Sequence, residues 1–278
     1  MLHLDEIGRL DRSIVEEACR ASSQSAYLGD HTMLCRLLTR YKFYLDTRDT
    51  GFASHVMLDG YWEIWLTQFI ARLIEPGMVV ADVGANYGYY TLLLAELVGP
   101  KGHVHAVEPN PAAAVMLRRS VDLNGFALRT SIVESCAASS DGQEFLLYVP
   151  HGEPKNACLI ASADIVSPAS GTIHQLRGRA LDSIAAERGP LDFVKIDAEG
   201  AEEAIFDGMS HMLGARPPKI VLEFNVARYK EPLTFIKKLQ RHYEKLRYVD
   251  YYGNTSAISP ERLLSHDVGE DWLLYLAN

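Results

Sequence analysis

The chain has 278 residues, 48% of them apolar and 23% charged, with a formal net charge of −9. That length and balance suit one generous α/β domain with an appendage and exclude wholesale disorder. The acidic surplus argues against a protein built to grip a phosphate backbone, so nucleic acid is not an expected partner. Lys237, Lys238, Arg241 and Lys245 gather on one helical stretch, but they read as a solvated face. The four cysteines, Cys19, Cys35, Cys136 and Cys158, form no CxxC pair and no zinc spacing, the usage of a reduced intracellular enzyme. The first dozen positions are charged rather than signal-like, and the apolar runs are too short to span a bilayer. The expected location is therefore cytoplasmic, with no membrane partner.

In chain order, Asp11-Arg12-Ser13 caps a helix over Ile14–Ala21, and Thr32–Leu45 is apolar at helical spacing. Residues 1–60 thus read as a helical N-terminal extension, open to the roles of lid, dimer surface or scaffold, and residues 61–278 as the main domain. Asp46–Gly60, punctuated by Gly and Asp, leaves room for short strands. Trp62–Ile74 is an amphipathic helix stopped by Glu75-Pro76-Gly77. From Met78 short apolar runs alternate with helices. Val79–Val83, His103–Val107 and Thr130–Ala137 read as strands, with a helix through Val98 after the first and another over Pro111–Leu123. Glu144–Val149 is an added strand, and Pro150–Arg179 is a Ser/Gly/Pro-rich stretch of the kind that is often functional. Phe193–Asp197 and Ile220–Phe224 are further strands, Ala201–Met209 and Leu233–Tyr243 helices. Tyr248–Tyr252 and Trp272–Leu276 are a candidate antiparallel pair. Strands alternating with helices imply a mainly parallel, Rossmann-like sheet covered on both faces, with an antiparallel C-terminal strand.

The sharpest local signal is Asp82-Val83-Gly84-Ala85-Asn86-Tyr87-Gly88, where a buried strand runs into a glycine turn and a helix follows. Ligands of open α/β sheets bind beyond such strand ends. The spacing Asp-x-Gly-x-Asn-x-Gly differs from the Gly-x-Gly-x-x-Gly of dinucleotide enzymes, and the absence of a following Lys-Ser/Thr excludes a P-loop. Asp82 is placed to accept from a ligand ammonium or from the turn's own backbone. Glu108 ends the second strand, where a carboxylate can take both hydroxyls of a ribose. An acid toward a cation and an acid toward a ribose is what an adenosyl sulfonium, S-adenosylmethionine, requires.

These residues, with Val107-Glu108-Pro109-Asn110, Leu181-Asp182-Ser183-Ile184 and Lys195-Ile196-Asp197-Ala198-Glu199-Gly200-Ala201-Glu202, resemble the FkbM-type methyltransferases. Gly60-Tyr61-Trp62-Glu63 adds to the likeness, which covers roughly Gly60 to Asn225. The resemblance implies a class I fold, S-adenosylmethionine as cofactor, and O-methylation of a hydroxyl on a small molecule such as a sugar or natural product. Carried over by position, it implies cofactor contacts at Asp82, Gly84, Ala85, Asn86 and Gly88, with Glu108 on the ribose. Asn110 falls near the adenine, Glu63 near the methionine end, and Cys136-Ala137 where adenine contacts usually lie.

Asp197, Glu199, Glu223 and Asn225 end two strands facing the same crevice, where the reacting hydroxyl must sit. An alcohol is a poor nucleophile at neutral pH, so two mechanisms compete. In one, Asp197, Glu223 and Asn225 hold Mg²⁺; in the other Asp197 or Glu199 is a direct base. Lys195 shares a strand face with Asp197 and reads as an ion-pair partner that orients Asp197 or Glu223. His151 and His174 lie in the Ser/Gly/Pro-rich stretch and are remote alternatives for a base. Two rival functions remain open, a nucleotide-dependent oxidoreductase or epimerase and a non-catalytic cofactor-binding module, as does a homo-oligomeric state.

Overall fold

The computed structural model describes residues 2–160, 170–265 and 271–278. Of the Pro150–Arg179 stretch, residues 161–169 therefore lie outside the described residues. An eight-stranded sheet runs in the order Thr130–Val133, His103–Val107, Val79–Val83, Phe193–Ile196, Lys219–Phe224, Trp272–Leu276, Arg247–Val249, Thr255–Ala257. The first five strands are parallel, and Trp272–Leu276 is antiparallel to both neighbours. This is the Rossmann-like sheet that the sequence predicts, with Tyr248 opposite Leu274 in the expected antiparallel pair.

The parallel strands are apolar on both faces. Val80, Val104, Phe193 and Val221 point into one layer and Ala81, Val107, Val194 and Leu222 into the other, the alternation of a strand covered twice. One layer carries Ile64–Leu73, Tyr89–Leu97 and Pro111–Leu123; the opposite layer carries Glu202–Asp207, Ser210–Ala215 and Pro232–Gln240. Val79–Val83 lies where the strand order reverses, His103–Val107 on one side and Phe193–Ile196 on the other. Connections leave the sheet in opposite directions there and open a crevice for a ligand.

The N-terminal region departs from the helical reading. The first helix of that reading is present as Arg12–Ser22, with Asp11 accepting the Ser13 amide at 2.9 Å. Thr32–Leu37 and Tyr41–Asp46, however, form a three-stranded antiparallel sheet with Ser25–Gly29. Thr50–Asp59, expected to hold strands, is a helix. Burial gives the reason: Tyr41, Phe43 and Leu45 are buried while Lys42 is exposed, a period of two. Leu37, Phe43, Leu45 and Phe52 pack into the same core as the helices on the main sheet.

Thr130–Ala137 is also not one strand. Thr130–Val133 stays in the central sheet, whereas Cys136–Ala137 pairs in parallel with Gly171–Arg179. Gly171–Arg179 belongs to a four-stranded flap with Glu144–Pro150 and Cys158–Ile160, and Leu147 and Leu159 of this flap reach the crevice. Among the described residues, no helix is long and apolar enough to cross a membrane.

Candidate cofactor and acceptor site

A cleft of about 570 Å³ opens over the ends of Val79–Val83, His103–Val107 and Phe193–Ile196. Its floor is the glycine turn. The Gly84 and Ala85 amides donate to Val107 O at 3.0 and 3.1 Å, hooking the turn over the neighbouring strand. Gly84 has φ +75°, and a Cβ built there would stand 1.8 Å from the Asp197 carbonyl oxygen. Only glycine lets these two strand ends approach so closely.

Glu108 is buried behind the turn, and its carboxylate accepts the Asn86 amide at 2.6 Å and the Asn110 amide at 2.8 Å. Burial pushes its carboxyl up to about 7, against the pull of those two amides. Each oxygen keeps a lone pair for a ligand hydroxyl. Glu63, Gly84, Ala85, Asn86, Glu108, Cys136 and Ala137 all line the cleft.

Asp82, Gly88 and Asn110, expected at direct contacts, are not among the residues that line it. Asp82 is buried below the turn, accepts the Thr91 hydroxyl at 2.6 Å and lies opposite Lys195 in register. Its other oxygen, Oδ1, is buried and accepts no hydrogen bond among the described residues. Asn110 caps the Pro111–Leu123 helix through Ala112 N at 3.1 Å. Gly88 packs against Leu117.

At the other end, Asp197, Glu199 and Glu223 all line the cleft. Lys195, 3% exposed, reaches Asp197 at 3.2 Å and lies over the Tyr90 ring, the orienting ion pair that strand alternation implies. Desolvation works against the Asp197 charge, but Lys195 and a hydrogen bond from Glu223 override it and hold the carboxyl below its usual range. Burial and the Asp197 charge push Glu223 the opposite way, far above its usual range. The two carboxyls therefore titrate as a pair, one held down and the other pushed up.

The proposed Mg²⁺ ligands do not fit a divalent cation. Arg228 lies 2.9 Å from Glu199, 3.4 Å from Glu223 and 3.6 Å from Asp271, so guanidinium and ammonium groups already hold the carboxylates. Asn225 points away, capping Ala227 N at 3.0 Å and donating to Asp271 at 2.7 Å. Among the described residues, no group of three His, Cys, Asp or Glu is arranged to hold a metal. His151 and His174 are likewise absent from the cleft walls.

Sequence reasoning missed Arg228, Asp271 and Tyr90, and of the flap it found only the strand over Glu144–Val149. Tyr90 lines the cleft and its hydroxyl donates to Glu63 at 2.7 Å. A second, larger groove of about 1130 Å³ adjoins the cleft and shares Trp62, Glu63, Glu223 and Asp271 with it. Its walls include Trp65, Tyr248, Tyr251 and Trp272.

The family profile described as Methyltransferase FkbM domain matches residues 82–253, well over half of the chain. The chain belongs to the FkbM methyltransferase family. That family is one of S-adenosylmethionine-dependent methyltransferases. A protein-L-isoaspartate O-methyltransferase of Methanothrix thermoacetophila is 45% identical over 49 residues, 18% of this chain and 23% of that protein. The AMB antimetabolite synthetase AmbE of Pseudomonas aeruginosa is 26% identical over 203 residues, 60% of this chain and 9% of that protein. The chain thus spans only about a quarter of the length of the isoaspartate methyltransferases that it matches. The crystal structure of methyltransferase FkbM from Methylobacillus flagellatus KT aligns with a TM-score of 0.45 and 18% identity, over 72% of this chain and 44% of that one.

The cleft fits the family's cofactor. Six carboxylates line it, Glu63, Glu108, Asp197, Glu199, Glu223 and Asp271, against the cations Lys195 and Arg228. An S-adenosylmethionine carries a sulfonium, an ammonium and one carboxylate, a net cation, whereas a dinucleotide brings a pyrophosphate that this lining repels.

Proposed function

We propose that this FkbM-family protein transfers a methyl group from S-adenosylmethionine to a hydroxyl of a small molecule, such as a sugar or natural product. The observation that carries the reading is the acid-rich cleft, with Glu108 behind the glycine turn at one end and the Asp197–Glu223 pair at the other. When bound, the cofactor supplies an electrophilic methyl carbon whose bond to sulfur breaks as the bond to the acceptor oxygen forms. The chain's own residues do the remaining work. Glu108 takes the ribose hydroxyls, and Gly84 to Asn86 present backbone along the ligand. Glu63 and Asp197 face the sulfonium and its methyl, the charge that S-adenosylhomocysteine lacks. The pairing lets Glu223 donate toward Asp197 and keep an oxygen free to orient an acceptor.

A hydroxyl acceptor suits the second groove, where aromatic faces stand beside carboxylates. Arg20 and Arg262, its guanidinium groups, are engaged with Asp59 and Ser265. A phosphate-rich partner finds little to grip there. The similarity to an antimetabolite synthetase supports a natural-product acceptor. A reducing, cytoplasmic setting belongs to the same proposal, since Cys19, Cys35 and Cys136 are buried thiols.

The test is a single-turnover assay with methyl-tritiated S-adenosylmethionine and a panel of phenyl glycosides, catechol and small-molecule cell extract. Label in an ether stable to mild base supports the proposal. Label in a base-labile ester would overturn the hydroxyl reading, and label in protein or RNA the small-molecule acceptor.

A further inference from the structure

The cleft and the larger groove meet at four side chains, Trp62, Glu63, Glu223 and Asp271. A methyl group handed from a ligand in one to a ligand in the other must cross that seam. The three acids there differ in what already occupies them. Glu223 titrates as a pair with Asp197 and lies 3.4 Å from Arg228. Asp271 accepts from Asn225 at 2.7 Å and faces Arg228 at 3.6 Å. Glu63 receives only a neutral donor, the Tyr90 hydroxyl, on Oε2. Among the described residues its Oε1 accepts no hydrogen bond.

Glu63 is also held in an unusual posture. It precedes the Ile64–Leu73 helix with φ +37° and ψ 60°, a left-handed backbone that costs a non-glycine residue about 1–2 kcal/mol, yet its side chain caps nothing. Backbone strain of this kind collects at functional positions. The posture turns the carboxylate to the seam instead of the helix.

We propose that the second groove seats the hydroxyl-bearing acceptor and that Glu63 takes the acceptor's proton as the methyl is transferred. This rests on the methyl-transfer reading above. The acceptor oxygen forms a bond to the methyl carbon, the carbon–sulfur bond breaks with its electron pair going to sulfur, and the hydroxyl proton passes to Glu63 Oε1. The products are the methyl ether and S-adenosylhomocysteine, and Glu63 returns its proton to water in the groove. The groove, with Trp65, Tyr251 and Trp272 on its walls, suits an acceptor that has a flat or ring-shaped apolar face as well as hydroxyls.

The charges around Glu63 favour a base. Desolvation and the Asp197 charge raise its carboxyl, Asp271 adds to this, and Tyr90 and Lys195 oppose it. Glu223 and Arg228 stand across the cleft, and Arg20, Asp59 and His55 line the groove beyond. A raised carboxyl is a stronger proton acceptor than a free one once ionised.

The experiment compares wild type and Glu63→Gln, using the tritium assay and acceptor panel above together with calorimetry of S-adenosylhomocysteine. The expected result is an affinity within about threefold of wild type and turnover reduced about a hundredfold or more. The wild-type rate should rise with pH along an acid limb above the ordinary carboxylate range, and the variant should lose that limb. Tyr251→Ala and Trp272→Ala, on the groove walls, should raise KM for the acceptor and leave S-adenosylhomocysteine affinity unchanged. Unaltered turnover of Glu63→Gln, or a large loss of its S-adenosylhomocysteine affinity, would overturn the proposal; the latter would make Glu63 a cofactor ligand. A wild type that binds the nucleoside but methylates nothing in the panel removes the methyl-transfer reading itself, and this proposal with it.

Discussion

Lys195 is a buried cation facing Asp197 and Asp82, with the Glu63 charge also holding it protonated against desolvation. Replacing it by Met would leave at least one acid charged and unpaired inside the sheet. The expected cost is about 3–5 kcal/mol, read as a lower denaturation midpoint at unchanged slope. Asp197→Asn should keep S-adenosylhomocysteine affinity within about threefold and lower turnover about tenfold or more, because it disrupts the pairing with Glu223 and not the nucleoside pocket. Normal turnover would remove Asp197 from the machinery. Glu108 gives a pH test. Its folded-state carboxyl is raised from 4.5 to about 7, so its contribution to stability is full below the lower value and fades as pH rises through the upper one. Without ligand, the wild type should lose stability relative to Glu108→Gln across that window; parallel midpoints for the two would contradict it. The acids at strand ends were legible because a strand's last residue must face the crevice. Arg228 and Asp271 were not, since Arg228 ends a single helical turn after its strand and Asp271 directly precedes one, positions too short to show a period.

Elements were read best where the sheet is deepest. Val79–Val83, His103–Val107 and Pro111–Leu123 stand where the sequence puts them, because continuous apolar runs between glycine and proline stops admit little else. The hairpin over Thr32–Asp46 was read as helix because short apolar runs satisfy both periods at once. The turns of its sheet, at Asp30-His31 and Leu38-Thr39, use non-glycine residues at positive φ, 44°, 57°, 47° and 64°, which composition does not announce. The division of Thr130–Ala137 follows from the flap, because Cys136–Ala137 pairs with Gly178-Arg179, some way further along the chain. Gly84 is the element-scale test. Gly84→Ala places a methyl against the Asp197 carbonyl and adds a side chain at positive φ. It should abolish S-adenosylhomocysteine binding and lower the melting temperature by several degrees; wild-type affinity would show that the two strand ends have room to part.

Over the whole molecule, one core layer joins the N-terminal sheet to the helices beside the glycine turn, through Phe43, Phe52, Tyr87 and Tyr89. Phe52 itself lines the cleft. The extension is thus part of the wall around the ligand, a placement that no motif in residues 1–60 signals. The chain carries a net charge of −9, and the cleft shares the bias, with more acids than bases. That electrostatic bias distinguishes a cationic nucleoside from a pyrophosphate. Calorimetric titration of the protein with S-adenosylhomocysteine and, separately, with NAD⁺ tests it most directly. One saturable site for S-adenosylhomocysteine, weakened about tenfold or more by Glu108→Ala, and no heat from NAD⁺ are expected. NAD⁺ binding of equal strength, or silence from both, would contradict it.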